Sequence, residues 1–420
     1  MNAGIDFGTS TCSIGVWKDG QPDLLKLEGD STRLTSALHT TRPGIAVGTA
    51  PDADSEITFG EEAVRQHLLD PQQGYFVKSP KSFLGADIKQ QHVDLFAAII
   101  ARMLAHIKRR AEAQVEGTID AICLGRPVRF HGLRGEEGNR QAVAIMERAA
   151  AAAGFKYVEF MFEPIAAALD YERGISRDVV ALILDAGGGT TDCSMVRIGP
   201  THREQSSRVD SVLGYSGDRI GGTDIDIRLV IRKVMPHFGK DTLLNSGLPI
   251  PNSIYWNAAT VNDVNALAEF TSERTGRELG QLLADAQERR KVARLLALYR
   301  GRHNYRLNRS AELAKIALSE HETTSLPLDY IEPELAIPLS RADLRESVER
   351  ELGKIVELMR EVAAQAQTAP DVIYVTGGTA RSPMILECLR ANFGGVDIVV
   401  GDLFGSVTSG LATWAQRTFR

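Results

Sequence analysis

The 420-residue sequence has few cysteines, few aromatic residues and no long apolar run, and each absence excludes a class of protein. Its four cysteines (Cys12, Cys123, Cys193 and Cys388) show no Cys-x-x-Cys spacing, so we expect reduced thiols in a cytoplasmic protein, without a disulfide framework or a zinc site. No apolar segment approaches the roughly 20 residues that cross a bilayer, and no signal peptide precedes the first strand-like residues. We therefore expect no membrane association.

Negative charge slightly exceeds positive charge, since the net charge is −6 and no long block of lysine and arginine offsets it. This distribution argues against a nucleic-acid-binding protein. The nine histidines show no metal-ligand spacing, so no histidine-based metal centre is predicted. The remaining composition, 43% hydrophobic and 24% charged, is typical of a globular protein long enough to bury two cores.

Strands and helices alternate along the chain, which indicates an α/β fold. The spacing of apolar residues predicts, for example, a strand over Val209–Tyr215, a helix over Asp224–Met235 and a single helix over Leu279–Tyr299. An irregular insertion that contains several prolines is predicted over residues 28–90. The second half carries an inserted helical subdomain rich in charged residues.

The most specific feature is a short pattern that occurs twice, over Gly4–Val16 and Ile183–Val196. Both copies run from an apolar strand through an Asp, a glycine turn and a Thr into a second strand that opens with Cys-Ser. Glycine lets a backbone come close to a ligand, and successive N–H groups together with hydroxyls hold phosphate oxygens. An ordinary hairpin turn explains the first copy equally well, whereas the triple glycine of the second favours a ligand. The residues predicted to contact phosphate are Gly8, Thr9, Ser10, Thr11, Gly187, Gly188 and Gly189.

Acidic side chains accompany both turns. Asp6 and Asp185 end apolar strands, where a carboxylate requires a cation or hydrogen-bond donors. Water-mediated binding of Mg²⁺ beside phosphate fits this pair, because Mg²⁺ keeps several waters and takes few carboxylates. Thr190 or Asp192 would then orient an attacking water. A flexible turn with capping aspartates is the alternative.

Two glycine pairs mark further candidate sites. Gly377 and Gly378 follow a strand and precede a helix, where an adenosine ring could lie flat on the backbone with Arg381 stacked on it. An ordinary strand-to-helix turn has the same pattern. Gly221 and Gly222 could place backbone N–H groups near ribose or phosphate, or could simply precede the N-cap of a helix.

Single charged residues complete the candidate set. Lys81 could neutralise charge on a γ-phosphate, although Lys78 competes for this role and a lone loop lysine is usually solvated. Glu163 precedes a proline in the first turn of a predicted helix, an arrangement that is ordinary by itself. Only the presence of the other candidate residues makes Glu163 a candidate contact for water or metal.

Taken in order, these motifs resemble the actin-like ATPase superfamily, and most closely the nucleotide-binding domain of the seventy-kilodalton heat-shock (DnaK-type) chaperones. The matching segments are Gly4–Thr11, Glu163–Ala168, Asp185–Asp192, Gly221–Asp224 and Gly377–Pro383. The resemblance covers nearly the whole chain. The Glu-Pro-x-Ala-Ala-Ala segment and the triple glycine separate this family from actin and from the sugar kinases.

The resemblance implies a two-lobed actin-like ATPase fold, built from duplicated ribonuclease H-like domains with a nucleotide cleft between the lobes. Lobe I would comprise residues 1–175 with a closing helix over 402–420, and lobe II residues 176–401, including an inserted helical subdomain at about 225–320. It also implies slow, Mg²⁺-dependent hydrolysis of ATP to ADP, lobe closure as a conformational switch, and a protein client or cochaperone as partner.

The resemblance also implies roles for single residues. By position, Asp6 and Asp185 would organise Mg²⁺ and its waters. The other implied roles are phosphate contacts from Thr9 and Ser10, the catalytic lysine Lys81, water contacts from Glu163, Thr190 and Asp192, and adenosine contacts from Glu312, Lys315 and Ser319.

The sequence departs from the family pattern at the adenosine contacts and at its end. Ile316 stands where the family has a base-stacking arginine, and Phe404 stands where it has an acid, so we expect altered nucleotide affinity and base selectivity. No apolar linker or β-rich peptide-binding domain follows Arg420, so peptide clamping is not expected. A nucleotide-sensing module without useful catalysis is therefore an alternative, and a small-molecule kinase of the sugar-kinase branch is a more remote one.

Overall fold

The computed structural model describes residues 1–41, 56–130, 135–203, 205 and 208–419. Its strands are β1 (Asn2–Phe7), β2 (Thr11–Lys18), β3 (Gln21–Leu24), β4 (Arg33–Thr35), β5 (Ala37–Thr40), β6 (Ile57–Phe59), β7 (Tyr75–Lys78), β8 (Ala121–Arg126), β9 (Tyr157–Phe162), β10 (Val179–Ala186), β11 (Thr191–Ile198), β12 (Val212–Asp218), β13 (Thr323–Pro327), β14 (Ala336–Ser340), β15 (Val372–Thr376) and β16 (Asp397–Val400). Its α-helices are α1 (Gly60–Leu69), α2 (Gln90–Glu112), α3 (Glu136–Ala152), α4 (Glu163–Glu172), α5 (Gly222–Leu229), α6 (Asn252–Ala259), α7 (Val264–Phe270), α8 (Glu273–Asp285), α9 (Arg289–Arg300), α10 (Asn304–Glu320), α11 (Arg341–Ala366), α12 (Pro383–Asn392) and α13 (Ser406–Thr418). Over the residues described, none of the helices is long and apolar enough to cross a membrane.

Two sheets with the same strand arrangement form the centre of the fold. The first has the order β3-β2-β1-β8-β9, with β4 also paired to β2, and the second has the order β12-β11-β10-β15-β16. In each sheet a central antiparallel hairpin, β1 with β2 or β10 with β11, continues into two parallel strands. Parallel neighbours require crossover connections, which the helices supply. The predicted α/β fold class is confirmed.

The strand register places two acidic residues at equivalent positions in the two sheets. Asp6 pairs with Ser13 at the second-last step before the first turn, and Asp185 pairs with Asp192 at the same step of the second hairpin. Because side chains alternate between the two faces of a strand, this shared register gives both Asp residues the same orientation relative to their turns.

Among the described residues, the three largest apolar cores hold these layers together. Buried residues of β1, β2 and β8 pack against α2 and α3. Those of β10, β11 and β15 pack against α5, α9, α10 and α11. A third core contains buried residues of β8, β10, β11 and β15 together with α4 and α13. The helices α4 and α13 therefore share one core with strands of both sheets.

Small residues set how closely α13 approaches its neighbours. A Cβ atom on Gly410 of α13 would lie 1.8 Å from the carbonyl oxygen of Ala166 in α4. One on Gly4 of β1 would lie 2.2 Å from the amide nitrogen of Ala412 in α13. Pro164 fits the first turn of α4, where its missing N–H would have no intrahelical partner. Glycine is thus required by space at both of these crossings.

Two predicted helices are corrected. The helix predicted over Asp224–Met235 is α5 followed by a π-helical turn over Val230–Val234. The single helix predicted over Leu279–Tyr299 is α8 and α9, because Ala286 leaves the helix and forms a bridge with Leu244. Periodicity alone does not detect such a break, since apolar residues keep a helical spacing on both sides of it.

Two β regions are corrected as well. The strand predicted over Val209–Tyr215 begins only at Val212, because Val209–Ser211 form a 3₁₀ turn. The insertion predicted as irregular over residues 28–90 contains β4 to β7 and α1 in its described part. Strands of three or four residues are too short to produce a periodic signal.

Candidate functional site

A cavity of about 640 Å³ lies where the turns of the two hairpins meet, a volume in the range of small-ligand sites. Residues Gly8 to Thr11 line it from the first hairpin, and Gly187, Gly188 and Thr190 line it from the second. The two turns close in the same way, since Gly8 N–H donates to Thr11 O at 3.1 Å and Gly187 N–H donates to Thr190 O at 2.9 Å. Equivalent turns therefore face one space.

The triple glycine allows the two turns to touch. A Cβ atom on Gly188 would lie 1.7 Å from Ser10 Oγ, and one on Gly189 would lie 2.6 Å from Thr9 Cγ2. The sequence suggested that these glycines let a ligand approach the backbone. In the structure, Gly188 and Gly189 are required by the close approach of the other hairpin.

One lysine and three acidic side chains line one side of the cavity: Lys81, Asp6, Glu163 and Asp185. Lys81 is only 6% exposed, and its Nζ donates to Glu163 Oε1. Burial alone would lower the pKa of Lys81, but the charges on Glu163 and Asp6 outweigh it and raise that pKa. Lys81 therefore remains a cation at this position.

The acidic side chains outnumber the lysine, and their pKa values reflect it. Burial and the charge on Glu163 raise the pKa of Asp6 to about 7, against the opposing effect of Lys81. Burial and the neighbouring carboxylates raise the pKa of Asp185 well above its usual value. A further positive charge nearby would stabilise the ionised forms of these two carboxyl groups.

A hydrated cation fits this part of the cavity better than a tightly ligated one. Within the residues that the structure describes, no three His, Cys, Asp or Glu side chains are grouped so that they could hold a metal ion. Asp6 and Asp185 alone match an ion such as Mg²⁺, which keeps several waters and takes one or two carboxylates.

Asp192 is buried beside this group but does not line the cavity. Its Oδ1 accepts a hydrogen bond from the Val128 N–H at 3.0 Å, and it also accepts one from the Thr190 side chain. Burial and the charge on Glu163 raise the pKa of Asp192 to about 7. Of this pair, Thr190 is the residue that contacts the cavity.

Helix α10 contributes Glu312, which is held by cations from two parts of the chain. Arg309 Nη1 donates to it at 2.9 Å, and Lys78 Nζ lies 3.7 Å away. Burial would raise the pKa of Glu312, but Lys78 and Arg309 outweigh it and lower that pKa to about 2. Arg309 also donates to Glu61 of α1 at 3.3 Å. Lys78 is thus paired with Glu312 of α10, whereas Lys81 is paired with Glu163, and both lysines line the cavity.

The other predicted adenosine contacts on α10 also have protein partners. Lys315 Nζ lies 2.8 Å from Asp226 Oδ1 and donates to Gly222 O at 2.9 Å. Ser319 Oγ donates to Lys315 O at 3.3 Å. Sequence reasoning missed Arg309 and Asp226. The position of Arg309 three residues before Glu312 was an available signal, because such pairs share a helix face.

Gly221 and Gly222 support the triple-glycine turn. Gly222 N–H donates to Gly187 O at 3.0 Å, and Thr223 N–H donates to Gly188 O at 2.8 Å. A Cβ atom on Gly221 would lie 2.4 Å from the carbonyl carbon of Gly188. The triple-glycine turn thus accepts hydrogen bonds from the N–H groups of Gly222 and Thr223, and the contact of this segment with ribose or phosphate stays a prediction.

The turn that begins at Gly377 packs against the second hairpin. Gly377 has a left-handed φ of 87°, and a Cβ atom there would lie 2.4 Å from Ala186 O. Glycine is therefore required for both conformation and space. Arg381, predicted to stack on a base, is about half exposed and donates to Glu320 at 2.7 Å.

Two apolar side chains at which the sequence departs from the family pattern also line the cavity. Phe404 and Ile316 both line the cavity, and they are 36% and 45% exposed. A Cβ atom on Gly378 would lie 2.7 Å from Phe404 Cε1, and the guanidinium carbon of Arg33 lies 4.0 Å from the Phe404 ring centroid. Arg33 was not predicted, because nothing in a sequence connects an arginine in an insertion with a phenylalanine about 370 residues later.

Most of the predicted site residues share this cavity. Those that line it are Asp6, Gly8, Thr9, Ser10, Thr11, Lys81, Glu163, Asp185, Gly187, Gly188, Thr190, Gly222, Glu312, Lys315, Ser319, Gly377, Gly378 and Arg381. Gly189, Gly221 and Asp192 are not among the lining residues. The functional roles of all these residues stay predictions.

Comparison with known proteins finds chaperone proteins among the curated relatives of this chain. The chaperone protein DnaK of Thermotoga neapolitana is 26% identical over 397 residues, which span 93% of this chain and 55% of the relative. The DnaK proteins of Thermotoga petrophila and Thermotoga maritima are 26% identical over 396 residues, with the same coverage. The chain therefore spans about half the length of the curated relatives that it matches.

A family model described as Hsp70 protein matches residues 2–246 and 287–399. The unmatched internal segment, residues 247–286, contains α6, α7 and α8. Both hairpins, the Glu163 segment and the Gly377 turn lie within the matched ranges. The family model matches most residues of this chain, so the chain belongs to the Hsp70 family.

Proposed function

We propose that this chain binds ATP and ADP with Mg²⁺, hydrolyses ATP slowly, and uses the accompanying closure of two lobes as a switch that acts on a protein client or cochaperone. The observation that carries the proposal is the meeting of two equivalent glycine turns at a cavity that also contains Lys81 among buried carboxylates. Membership in the Hsp70 family supports it.

The proposed lobes are residues 1–175 with the helix over 402–420, and residues 176–401. Each contains one of the two equivalent sheets with its own core, and α13 packs on β1 and α4, which supports its assignment to the first lobe. In this proposal the γ-phosphate would contact both hairpins at once, so that its loss would weaken the attraction between lobes. Hinge closure around a ligand is a common transition of this kind.

Asp6 and Asp185 would hold the Mg²⁺ through its waters. When bound, Mg²⁺ neutralises charge on the phosphate oxygens of the nucleotide. The backbone N–H groups and hydroxyls of Thr9 and Ser10 would bind phosphate oxygens directly. A positive charge beside Asp6 and Asp185 would favour the ionised forms of both side chains.

Lys81 and its neighbours would act on the reacting groups. The Lys81 ammonium would stabilise charge on the transferred phosphoryl group, a role for which its burial excludes competing water. The Glu163 carboxylate would accept a hydrogen bond from the attacking water, and the Thr190 hydroxyl would accept from it or donate to it. Asp192, which accepts from Thr190, would fix the direction of that hydroxyl.

Phosphate release from Mg-ATP by the purified protein tests this proposal. We expect Lys81→Ala and Asp185→Asn each to lower turnover by about 10²–10³-fold, as loss of a group that stabilises transition-state charge does. Lys156→Ala is the control, because Lys156 pairs with Asp120 on the surface and should not affect turnover. Absence of phosphate release above a nucleotide-free blank, at high protein concentration, would contradict hydrolysis.

A second candidate function is nucleotide sensing without useful hydrolysis. The observation that favours it is the presence of Ile316 and Phe404 in the cavity lining, at positions where the family resemblance implies an arginine and an acid. Calorimetry that detects tight ATP binding, combined with no phosphate release, would select this function over the first.

A further inference from the structure

Helices α6, α7 and α8 lie in the 247–286 segment, which the Hsp70 family model does not match, yet this segment contacts the helix beside the triple-glycine turn. Asn262, in the turn between α6 and α7, donates from Nδ2 to Asp224 Oδ1 at 3.2 Å. Its carbonyl oxygen accepts a hydrogen bond from Arg219 Nη2 at 2.5 Å. Asn262 is only 7% exposed, so water competes little for these bonds.

A second contact joins the same segment to the other end of α5. The guanidinium carbon of Arg228 lies 4.8 Å from the ring centroid of Trp256 in α6. Apolar side chains of the two helices, Ile225 and Ile254 among them, also belong to one buried core. Helix α5 is therefore held by the 247–286 segment near both of its ends.

Asp224 connects Asn262 with the cavity. Its Oδ2 accepts a hydrogen bond from the Gly221 N–H at 3.0 Å, which fixes the first turn of α5. The next two residues, Gly222 and Thr223, donate their N–H groups to the triple-glycine turn. A displacement of Asp224 would therefore move the turn that is proposed to bind phosphate.

The amide of Asn262 suits the buried carboxylate that it contacts. Burial raises the pKa of Asp224, whereas the Gly221 N–H, Arg219, Asn262 and Arg228 lower it. A buried carboxylate that loses a donor stays desolvated without compensation, which costs more than the hydrogen bond itself contributes. Neither Asn262 nor Asp224 is among the residues that line the cavity, so any effect of Asn262 on a ligand is one of position.

We propose that Asn262 is a positioning residue, through which the 247–286 segment fixes the triple-glycine turn and so sets how tightly this chain holds the phosphates of a nucleotide. The inference rests on the proposed nucleotide binding, and it assigns a role to a part of the chain outside the family match. In this proposal Asn262 touches neither the nucleotide nor the metal.

Calorimetric titration of the full chain with Mg-ADP and with adenosine tests the proposal, because only ADP carries phosphates. We expect Asn262→Ala to weaken Mg-ADP binding by about tenfold, as loss of a hydrogen bond to a buried charge does, and to change the Kd of adenosine by less than about twofold. Asn265→Ala is the control, because Asn265 is exposed on α7 in the same segment. Equal weakening of ADP and adenosine would show a general structural role and overturn the proposal.

The variant Asn262→Asp has the same shape and provides a second test if the alanine variant does not fold. It places two carboxylates side by side, and Arg219 and Arg228 are the charged groups that face Asp224. Two adjacent carboxylates do not both ionise readily. We therefore expect its Kd for Mg-ADP, relative to that of the unchanged protein, to be raised more at pH 8 than at pH 6. A ratio that is the same at both pH values would contradict the contact with Asp224.

The same titrations separate this inference from the proposed function. Binding of Mg-ADP that Asn262→Ala changes by less than about twofold would overturn the positioning role and leave the proposed function intact. Failure of the unchanged protein to bind Mg-ADP would overturn the proposed function, and the positioning role with it.

Discussion

Gly188 illustrates how a single residue can be constrained by a neighbour far away in the sequence. It contacts Ser10, so the distance between the two turns depends on the absence of a side chain. A Cβ atom on the adjacent Gly187 would lie 3.4 Å from its nearest neighbour, Thr190 O, which is an ordinary contact distance. Gly187 therefore tolerates a side chain. Neither glycine has a left-handed φ. The two positions therefore differ in the space around them and not in backbone conformation.

The variants Gly188→Ala and Gly187→Ala form a matched pair. We expect Gly188→Ala to weaken Mg-ADP binding by at least about tenfold, because Ser10 must move and the phosphate contacts of both turns move with it. Gly187→Ala should stay within about threefold of the unchanged protein. Titration calorimetry measures both. Equal Kd values for the two variants would contradict the close contact between the hairpins.

Glu312 gives a pH-dependent prediction. Its pKa in the folded protein is about 2, below the ordinary value of 4.5, because Lys78 and Arg309 outweigh the effect of burial. The charged form therefore stabilises the fold above pH 4.5, and this contribution is lost as the pH falls towards 2. We expect Glu312→Gln to lower the free energy of unfolding at neutral pH by on the order of 2 kcal/mol.

The difference between Glu312→Gln and the unchanged protein should shrink in acid. Urea unfolding at pH 7 and at the lowest pH where the protein still folds measures it. Glu349→Gln, a change at an exposed position of α11, controls for the general effect of losing an acid. A difference that is constant with pH would show that the ion pairs of Glu312 do not lower its pKa.

Single residues also show where prediction from sequence stops. The equivalent positions of Asp6 and Asp185 were predictable, because strand, turn and register are all local properties of the two hairpins. The partners of Lys78 and Lys81 were not predictable, since Glu312 and Glu163 come from distant segments. Sequence patterns give candidates of this kind, and the fold selects among them.

At the scale of elements, the crossing of α13 with α4 depends on Gly410. Any side chain there would collide with the backbone of Ala166, which cannot rotate away. Gly353 of α11 provides a helical comparison, because it is exposed and a Cβ atom there would meet nothing within 4 Å. The same change should therefore have opposite effects in the two helices.

We expect Gly410→Ala to destabilise the protein by about 1–3 kcal/mol, as overpacking of a buried contact does. Gly353→Ala should stabilise it by about 0.5–1 kcal/mol, because alanine favours a helix that glycine disfavours. Urea or thermal unfolding of both variants gives the comparison. A stable Gly410→Ala variant would mean that α13 does not pack on α4 at this distance.

Elements were predictable in proportion to their length and regularity. The strands of both hairpins and long helices such as α11 have clear periodic patterns, and α11 also starts with a capping box between Ser340 and Asp343. The short strands β5, β6 and β7 have no such signal, since their pairing with each other is what defines them. The break between α8 and α9 likewise depends on the remote residue Leu244.

At the scale of the whole molecule, a ligand between the two sheets should stabilise the entire fold. Binding to the folded state alone adds about 2.7 kcal/mol when the free ligand is a hundredfold above its Kd. We expect Mg-ADP to raise the Tm, and removal of the metal with EDTA to reverse most of the increase. Differential scanning calorimetry with and without EDTA measures the effect.

Asp185→Asn is the informative variant for the metal, because it removes one of the two proposed carboxylates. We expect its Tm to respond to ADP similarly with and without Mg²⁺. Asp329→Asn, a change at an exposed position far along the chain, should behave like the unchanged protein. A Tm increase in the unchanged protein that EDTA does not alter would contradict the proposed metal role.

The position of α13 has a consequence for synthesis of the chain. Ser13 in the first hairpin and Thr408 in α13 are hydrogen-bonded at 2.5 Å although 395 residues separate them. At a translation rate of about 5–20 residues per second, roughly 20–80 s pass between the appearance of one and the other. During that interval the face of β1 that α13 later covers has no native partner on the nascent chain. β1 is thus covered by a helix that is synthesised long after it, so the first proposed lobe cannot finish folding before the second has been synthesised.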